Sequence, residues 1–551
     1  MQSTAWAMLR HRLCLRSENP MMKRGLTTGL MAAFAMIANA QTVNQGFVDH
    51  PSLGVPAPAR ETRAVWLTTV FNIDWPASSG NTTSIQTSQR ALMNTTLDQL
   101  QAMNINTVIF QVRSQCDAMY PSTLEPWSNY LTGRMGRAPA GTYDPLQEWI
   151  TACKARGMWC MAWFNPYRAL TRAPAFEPPT AGNWDDAGTS VSSTTYLPPN
   201  HVYRARYDLV RKVTASTWWM DPGVPDAAAR AKSAIMDVVN RYDVDGIVFD
   251  DYFYPSGVTT AFDSATYAQY GAGLTLANWR RKNTDNFVQD ISQSIKAAKP
   301  NMMFGIGPNG IWVSGQPSGT NGQSAYNELY ADTRKWLQQG WVDFLSPQLY
   351  WTINSVGQSY TLLSNWWAQQ NIANRHLWIS NAAYRLDAAQ GDWAVSELEN
   401  QVGISRNLPG SVGNVWYNTS AFQDNLKSVR TTFQAGVYAQ QALVPTSPWL
   451  PDQTPPSRPS LSLATSGSNY TISFSVSGEQ PRWIRLAVLV GATWQNRIYP
   501  GTTTSVTWPR KTGNDPVRAV AVASVDRLGN MSQHASRTLD ATALLTSPRR
   551  N

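Results

Sequence analysis

The chain has 551 residues, with 45 Lys and Arg against 36 Asp and Glu, and 43% of its residues are hydrophobic. This length and apolar content exclude a wholly disordered chain and allow one large domain with an appendage. Four Cys in so long a chain exclude a disulfide scaffold. Five scattered His, without a CxxC or HExxH motif, predict no metal site and no other cofactor.

The first forty residues have the pattern of a signal peptide. Residues 22–24 are MKR, residues 25–37 form an apolar run, and residues 38–40 are ANA, which fits an A-x-A cleavage site. The apolar run is well short of the ~20 residues that span a bilayer, so no transmembrane segment is predicted. We expect residues 1–40 to be a cleaved leader that includes a spurious upstream start. The mature protein, from Gln41, is then exported to the periplasm or cell envelope.

Short runs rich in Val, Ile, Phe and Trp alternate with amphipathic helical stretches between residues 61 and 444. Eight such repeats predict a TIM (β/α)8 barrel, whose active site lies at the carboxyl ends of its strands. A doubly wound sheet is the alternative, but a Gly-rich phosphate turn usually follows its first strand and none follows Thr69. The predicted strands are residues 63–69, 107–112, 158–164, 246–250, 303–307, 344–349, 377–382 and 413–416, with helical stretches such as 89–103 and 226–241 between them.

Three further segments flank the predicted barrel. Residues 41–60 form an N-terminal extension, and the Pro-rich residues 445–459 predict a semi-rigid linker. Residues 460–540 alternate apolar and polar side chains with period two between Gly-, Asn- and Ser-rich turns. This pattern predicts a small all-β sandwich of the fibronectin type III kind, followed by a tail, residues 541–551.

The positive charge lies mostly outside the predicted barrel. Residues 1–40 hold five Lys and Arg against one Glu, residues 41–455 hold 29 basic against 31 acidic residues, and residues 456–551 hold 11 against four. A barrel near neutrality disfavours a nucleic-acid partner. The basic C-terminal region is expected to make at most a weak electrostatic contact with an anionic wall or membrane surface.

Polar and aromatic residues follow six of the predicted strands, on the rim where a TIM barrel carries its active site. Flat aromatic faces suit sugar rings, and amide and guanidinium groups can hydrogen-bond to hydroxyl and N-acetyl groups. The alternative for each single aromatic residue is that it fills space between the barrel and its helices. The predicted substrate-binding residues are Asn72, Asp74, Trp75, Arg113, Asn165, Tyr167, Arg168, Tyr252, Tyr254, Gln348, Trp351, Tyr384 and Arg385.

The adjacent carboxylates Asp250 and Asp251 are the strongest catalytic candidates. Neighbouring side chains on a strand point to opposite sides, so both can face the barrel mouth only if the strand has ended. Two like charges this close raise the pKa of one carboxyl, as a general acid requires. The alternative is that one of them pairs with Arg113 or Arg168 and only shapes the rim.

Seven motifs, in order along the chain, resemble the glycosyl-hydrolase-like family ten. They are residues 61–67 (ETRAVWL), 72–76 (NIDWP), 117–122 (DAMYPS), 143–146 (YDPL), 164–168 (FNPYR), 221–225 (DPGVP) and 242–255 (YDVDGIVFDDYFYP). That family is similar to an enterobacterial divisome-localised hydrolase that cuts peptidoglycan strands stripped of their stem peptides. The resemblance implies a TIM barrel, an envelope location and a β-1,4-linked amino-sugar glycan as substrate.

The mechanism is open at this point. Many retaining barrel glycosidases carry a Glu nucleophile on strand seven, but here no carboxylate follows that strand before Asp387. The D-G-I-x-x-D order at strand four, with Gln348 and Tyr350 after strand six, is instead similar to chitinase family eighteen. In those enzymes the substrate's own 2-acetamido oxygen attacks, and the acid is a Glu where this chain has Tyr252.

We therefore expect one of Asp250 and Asp251 to protonate the leaving oxygen while the other orients an N-acetyl group, helped by Tyr350. Asp117 is the reserve second carboxylate for a conventional two-carboxylate scheme. A non-catalytic glycan-binding barrel is the alternative from another class of protein. An esterase is disfavoured, because no G-x-S-x-G motif occurs and His residues are few.

Overall fold

Eight parallel strands form a closed barrel in the computed structural model, which describes residues 48–49, 53–171, 197–214, 217–271 and 273–538. Each strand pairs in parallel with its neighbours, and the last barrel strand pairs with the first, Trp416 lying opposite Val65. The closed barrel confirms the predicted TIM fold class. The predicted leader and the tail 541–551 lie outside the described residues.

The barrel consists of β2, β3, β4 and β8 to β12, in that order around its circumference. In chain order the strands are β1 (Val48–Asp49), β2 (Thr62–Leu67), β3 (Thr107–Arg113), β4 (Trp159–Phe164), β5 (Arg168–Leu170), β6 (Val210–Lys212), β7 (Trp218–Met220), β8 (Gly246–Phe249), β9 (Met303–Ile306), β10 (Phe344–Leu345), β11 (His376–Ala382), β12 (Ser411–Tyr417), β13 (Ser460–Ser466), β14 (Asn469–Ser475), β15 (Trp483–Val490), β16 (Thr493–Pro500), β17 (Ser505–Pro509), β18 (Lys511–Thr512), β19 (Asp515–Val525) and β20 (Ala535–Thr538).

Amphipathic helices cover the outside of the barrel. The longer ones carry local start signals: the Thr82 side chain accepts a hydrogen bond from the Ile85 N–H, and Pro225 occupies a first turn. Within the described residues, no helix is long and apolar enough to cross a membrane. The helices are α1 (Thr83–Ala102), α2 (Asn129–Thr132), α3 (Pro145–Ala155), α4 (Val202–Ala205), α5 (Pro225–Arg241), α6 (Ser264–Tyr270), α7 (Leu276–Ala298), α8 (Ala325–Glu328), α9 (Thr333–Gln338), α10 (Tyr360–Gln370), α11 (Val395–Arg406), α12 (Ser420–Gln423) and α13 (Val429–Ala435).

Aromatic side chains fill the inside of the barrel. Alternation along β4 sends Trp159, Met161 and Trp163 into the interior cluster, while the intervening residues pack against the helices. The interior has room for these rings because β9 carries glycine. A Cβ atom at Gly305 would overlap the Phe344 ring, which stacks on the indole of Trp378 with ring centroids 3.7 Å apart.

The C-terminal region consists of antiparallel sheets, as the period-two alternation predicts. One sheet has the order β1-β20-β19-β15-β16, with β18 paired to β19, and a second has the order β13-β14-β17. Ile472 from the second sheet and Leu486 and Val520 from the first share one buried apolar cluster. The predicted extension 41–60 contributes β1, which pairs with β20 at the edge of the first sheet.

The C-terminal sheets close the amino-terminal end of the barrel. Trp483 and Val525 belong to the same apolar cluster as the barrel interior, together with Leu450 from the predicted linker. The Trp483 indole N–H donates to the Gly157 carbonyl at 2.6 Å. The Pro-rich segment is therefore packed against the barrel, and the C-terminal region completes the barrel core.

A buried ion-pair cluster joins the two regions. The Asp245 carboxylate, at the start of β8, accepts hydrogen bonds from Arg482 at 2.9 Å and from Arg527 at 2.7 Å. It also accepts the Cys160 N–H at 2.8 Å, and its side chain is 2% exposed. Removing one member of such a pair leaves an uncompensated buried charge.

We expect Asp245→Ala to lower the free energy of unfolding by about 3–5 kcal/mol, because Arg482 would lose its buried counter-charge. Asp243→Ala is the matched control: it also contacts Arg527, but its side chain is 53% exposed, so a loss of at most about 1 kcal/mol is expected. Urea denaturation measures both. Equal losses in the two variants would contradict a structural role for the buried pair.

Candidate active site

A cleft of about 180 Å³ opens at the carboxyl ends of the barrel strands. The residues that line this cleft come from several barrel strands and from the loops that follow them, as expected for an active site of this fold. Its lining residues are Trp66, Thr68, Val70, Gln111, Trp163, Arg168, Asp250, Asp251, Tyr252, Gln348, Tyr350 and Tyr417.

Asp250 lies at the floor of the cleft and is 3% exposed. Its Oδ2 atom accepts a hydrogen bond from the Trp163 indole N–H at 2.9 Å and another from the Asn165 amide. Its Oδ1 atom is buried and has no hydrogen-bond partner among the described residues. Burial and the neighbouring charge of Asp251 raise the pKa of Asp250 to about 7.

Asp251 also lines the cleft, and its side chain is more accessible than that of Asp250. Because β8 ends at Phe249, both carboxyls face the barrel mouth. Burial raises the pKa of Asp251 to about 6, and a hydrogen bond from Gln348 and the charge of Arg168 oppose that rise. Because both pKa values lie close to neutral pH, each carboxyl can give a proton to a bound molecule or take one from it.

Arg168 and Tyr252 form one wall of the cleft. The Arg168 guanidinium lies 4.9 Å from the centroid of the Tyr252 ring, and its Nε atom donates to the Ser114 carbonyl at 2.8 Å. Tyr252 packs edge-on against Trp219 of β7 and remains 40% exposed. An exposed ring held in place from behind is a surface on which a sugar can stack.

Tyr350 and Tyr417 line another part of the cleft, and Tyr384, which is not among the lining residues, packs against both. Tyr350 stacks on Tyr417 with ring centroids 5.7 Å apart, and Tyr384 packs edge-on against both. Burial raises the pKa of Tyr350 well above its ordinary value, while a hydrogen bond with Ser380 acts in the opposite direction. The phenol is therefore a neutral hydrogen-bond donor at physiological pH.

Three of the predicted aromatic binding residues lie in the core instead of the cleft. Trp75 packs edge-on between Phe110 and Trp149 and is fully buried. Tyr167 and Tyr254 are also fully buried, against the helices outside the barrel. The space-filling alternative therefore describes these three residues, because each ring packs among the buried apolar side chains of the core.

Arg113 and Asp117, at and just after the end of β3, stabilise the loops around them. Arg113 forms a buried pair with Glu125 at 2.6 Å, so it is not the partner of either catalytic candidate. Asp117 accepts the backbone N–H groups of Ser114 and Gln115, both at 2.8 Å. It is buried outside the lining of the cleft, which removes the geometric basis for its role as second carboxylate.

Other predicted residues support the cleft without lining it. Asp74 accepts the N–H groups of Thr68 and Ser420, each at 2.7 Å. Asn72 donates to two backbone carbonyls, Trp351 accepts from Gln401 through its own carbonyl, and the Arg385 guanidinium lies over the Tyr384 ring.

Sequence reasoning missed several lining residues on the strands themselves. Trp66 and Thr68 follow the inward-facing Ala64 at intervals of two along the first strand, and Tyr417 follows Val415 on β12 in the same way. Period-two alternation extended to the last residue of each strand would have identified them. Val70, which follows the end of β2, and Gln111, near the end of β3, also line the cleft and were not predicted.

The described residues contain no group of three or more His, Cys, Asp or Glu that could hold a metal ion. The titratable groups among the described residues that line the cleft include the carboxyls of Asp250 and Asp251 and the hydroxyl of Tyr350.

A closed parallel barrel with paired buried carboxyls and aromatic walls at its carboxyl end is suited to a glycoside hydrolase, and comparisons with known proteins identify that class. A sequence profile of the family Glycosyl hydrolase-like 10 matches residues 61–395. Glycosyl hydrolase YngK of Bacillus subtilis is 36% identical over 423 residues, which are 74% of this chain and 78% of the relative. Glycosyl hydrolase DigH of Escherichia coli K12 is 34% identical over 452 residues, 78% of this chain and 98% of the relative.

The chain belongs to the Glycosyl hydrolase-like 10 family. Among solved structures, it is similar to the PgaB (BpsB) glycoside hydrolase domain of Bordetella bronchiseptica, with 15% identity and a TM-score of 0.41 over 68% of this chain and 98% of that one.

The raised pKa values of the two carboxyls predict a pH dependence of stability. The folded protein holds these protons more tightly than the unfolded chain, so their stabilising contribution is present at low pH. It is lost as the pH rises from about 4 through about 6 for Asp251 and about 7 for Asp250. The free energy of unfolding of the wild type should therefore fall between about pH 4.5 and pH 8. We expect a smaller fall in Asp250→Asn, which lacks one of the two titrating carboxyls, and urea denaturation at each pH measures both.

The exposed residue Glu479 provides the control for this measurement. Glu479→Gln is expected to follow the wild type at every pH. A wild-type slope in the Asp250→Asn variant would contradict the burial of the ionised carboxyl as the cause.

Proposed function

We propose that this protein cleaves β-1,4-linked amino-sugar glycans, and specifically peptidoglycan strands, by a substrate-assisted mechanism. The observation that carries the proposal is the pair Asp250 and Asp251, which are the carboxyls among the described residues that line the cleft. When the protein supplies no separate nucleophile, the 2-acetamido oxygen of the substrate can attack C1 in its place.

Asp251 acts as the general acid in this scheme, because its carboxyl is the more accessible of the two. It protonates the leaving glycosidic oxygen as the acetamido oxygen forms a bond to C1, giving an oxazolinium intermediate. Asp251 then accepts a proton from the water that attacks C1 and reopens the ring. The C1–O bond broken and the one finally formed lie on the same face, so the anomeric configuration is retained.

Asp250 orients the acetamido group. Its Oδ2 atom is held by Trp163 and Asn165, while its buried Oδ1 atom has no partner among the described residues. A buried acceptor without a partner is costly, and the N–H of an acetamido group supplies the missing donor. Tyr350 lines the same cleft, and its hydroxyl donates a hydrogen bond to the acetamido carbonyl without giving up its proton.

Three further observations support an amino-sugar polymer of the cell envelope as the substrate. Tyr252 and Tyr417 give the cleft two aromatic walls, which suit the apolar faces of pyranose rings. The region of residues 41–455 is close to neutral, which suits a glycan better than a polyanion. The leader pattern in residues 22–40 supports export, and we propose the periplasm or cell envelope as the site of action.

Replacement of the two carboxyls tests the catalytic roles. We expect Asp251→Asn to lower kcat on denuded glycan strands by about 10²–10⁴-fold, because the general acid is lost. Asp250→Asn should lower kcat by at least about tenfold, because one Asn amide hydrogen would oppose the acetamido N–H.

The matched control is Asp117→Asn, which alters a buried carboxyl outside the cleft lining. Per folded molecule, it is expected to keep its activity within about tenfold of the wild type. Loss as severe as that of Asp251→Asn, in a folded protein, would instead favour a two-carboxylate mechanism through Asp117.

Product analysis tests the substrate. Mass spectrometry of material released from denuded and from intact peptidoglycan should show saccharides with new reducing ends, and glycan that has been chemically N-deacetylated should resist cleavage. Cleavage of deacetylated glycan at the wild-type rate would refute the substrate-assisted scheme. Binding to peptidoglycan with no release over long incubation would favour a non-catalytic barrel.

The basic C-terminal region is proposed to add a weak electrostatic contact with anionic wall or membrane surfaces. Arg497, Arg510 and Lys511 are exposed beside Trp508 and Tyr470, away from the ion pairs at the barrel end. We expect Arg497→Gln, Arg510→Gln and Lys511→Gln together to weaken binding to purified sacculi at low salt and not at high salt. The control replaces Lys154, Lys232 and Lys427 of the barrel with Gln, and equal binding by both triple variants would refute the contact.

A further inference from the structure

A phenylalanine side chain is exposed at the rim of the cleft. Phe71 directly follows Val70, which lines the cleft, and Phe71 is 49% exposed. Consecutive Cα atoms are about 3.8 Å apart, so the Phe71 side chain begins at the edge of the cleft. Single exposed apolar residues are common on protein surfaces, and exposure by itself therefore assigns no role to this ring.

The backbone at Phe71 has a conformation that phenylalanine rarely adopts. Its φ angle is 57°, and the φ angle of the next residue, Asn72, is 55°. A positive φ in a bulky residue costs free energy, and it persists only where the surrounding structure enforces it. Glycine would adopt this φ without that cost, yet the position carries a large aromatic side chain.

Hydrogen bonds immediately before and after the ring enforce this conformation. The Gln111 side-chain oxygen accepts the N–H groups of Thr69 and Val70, both at 2.9 Å. On the other side, the Asn72 side-chain amide donates to the Tyr130 carbonyl at 2.8 Å. The loop is thus anchored to the second barrel strand and to a neighbouring loop, and the ring is presented from a fixed backbone.

Tyr130 connects this ring to the rest of the rim. The rings of Phe71 and Tyr130 pack edge-on, with centroids 5.7 Å apart. The Tyr130 hydroxyl is hydrogen-bonded to the Thr171 hydroxyl at 2.8 Å. Thr171 directly follows β5, whose first residue, Arg168, lines the cleft. A connected series of contacts therefore runs along the rim from Phe71 to Arg168.

Phe71 and Tyr252 flank the cleft on different sides. Phe71 follows β2 and Tyr252 follows β8, and β3 and β4 lie between these two strands around the barrel. Both side chains are exposed, so each of these sides carries an accessible aromatic ring. A β-1,4-linked glycan is an extended chain, and one that stacks on Tyr252 and crosses the cleft reaches the loop that carries Phe71.

We propose that Phe71 forms a second sugar-binding subsite, on which a pyranose ring outside the pair joined by the scissile bond stacks. The inference rests on the proposed function, because it takes a linear amino-sugar glycan as the occupant. A half-exposed aromatic ring on a rigid loop suits the apolar face of a sugar. Because a short oligosaccharide cannot occupy the catalytic position and this subsite together, the enzyme prefers long strands.

The subsite predicts how activity depends on substrate length. The readout is the ratio of kcat/KM on denuded glycan strands to kcat/KM on the shortest oligosaccharide that the wild type cleaves. We expect Phe71→Ala to lower this ratio about tenfold, because the stacking contact is lost only to the longer substrate. Phe71→Tyr keeps the flat face and should restore the ratio to within about twofold of the wild type, whereas Phe71→Leu, apolar but without a ring, should resemble Phe71→Ala.

Ile372→Ala is the matched control. Ile372 is also an exposed apolar residue, but it lies between α10 and the start of β11, at the end of the barrel away from the cleft. Its replacement should leave the ratio unchanged. Thermal unfolding checks that each variant is folded, and Phe71→Gly, which suits a φ of 57°, replaces Phe71→Ala if the latter does not fold.

The outcomes separate this subsite from the proposed function. An unchanged ratio in folded Phe71→Ala, or an equal fall of the ratio in Ile372→Ala, would overturn the subsite while leaving the proposed function in place. A wild-type ratio in Phe71→Leu would show that stacking is not the contact, and would overturn it as well. Failure of the wild-type protein to cleave amino-sugar glycan of any length would overturn the proposed function and this inference with it.

Discussion

The packing of aromatic rings inside the barrel is the constraint on which both the fold and the active site depend. Trp163 shows the connection most directly: one edge of its indole packs against Trp66 with ring centroids 4.9 Å apart, and its N–H holds Asp250. The glycine directly after β9 gives these rings their space, because a Cβ atom at Gly307 would lie 2.7 Å from the Trp66 indole. The floor of the cleft is thus the upper layer of the barrel core, and its geometry is as rigid as that core.

The rigid placement of Asp250 and Asp251 side by side has an electrostatic cost, which raises the pKa of both carboxyls. Two carboxyls close together in a buried floor are destabilising when both are ionised, and burial and this repulsion raise the pKa values of Asp250 and Asp251. Hydrogen bonds from Trp163, Asn165 and Gln348 reduce the cost without removing it. Hydrolysis needs a group that releases a proton near neutral pH and takes it back, and a carboxyl with a pKa raised toward neutrality has that property.

Periodicity in the sequence predicted the barrel well and predicted the site only in part. The eight strands follow from short apolar runs, and the acidic pair follows from its place at the end of one of them. The roles of Arg113 and Asp74 could not be predicted, because their partners Glu125 and Ser420 lie on other segments whose proximity exists only in the folded chain. A polar residue just past a strand can hold a loop or bind a ligand, and local sequence does not distinguish the two.

The pairing of β1 with β20 ties the beginning of the described chain to its end. Val48 lies opposite Thr538, so almost the whole sequence separates two residues that share one sheet. Contacts of such long sequence separation form late and slowly during folding. The barrel's amino-terminal end can be covered only after the last strands have been synthesised, so an incomplete chain exposes tryptophan-rich interior surface. A partly synthesised form of this chain therefore exposes apolar surface of the kind that promotes aggregation.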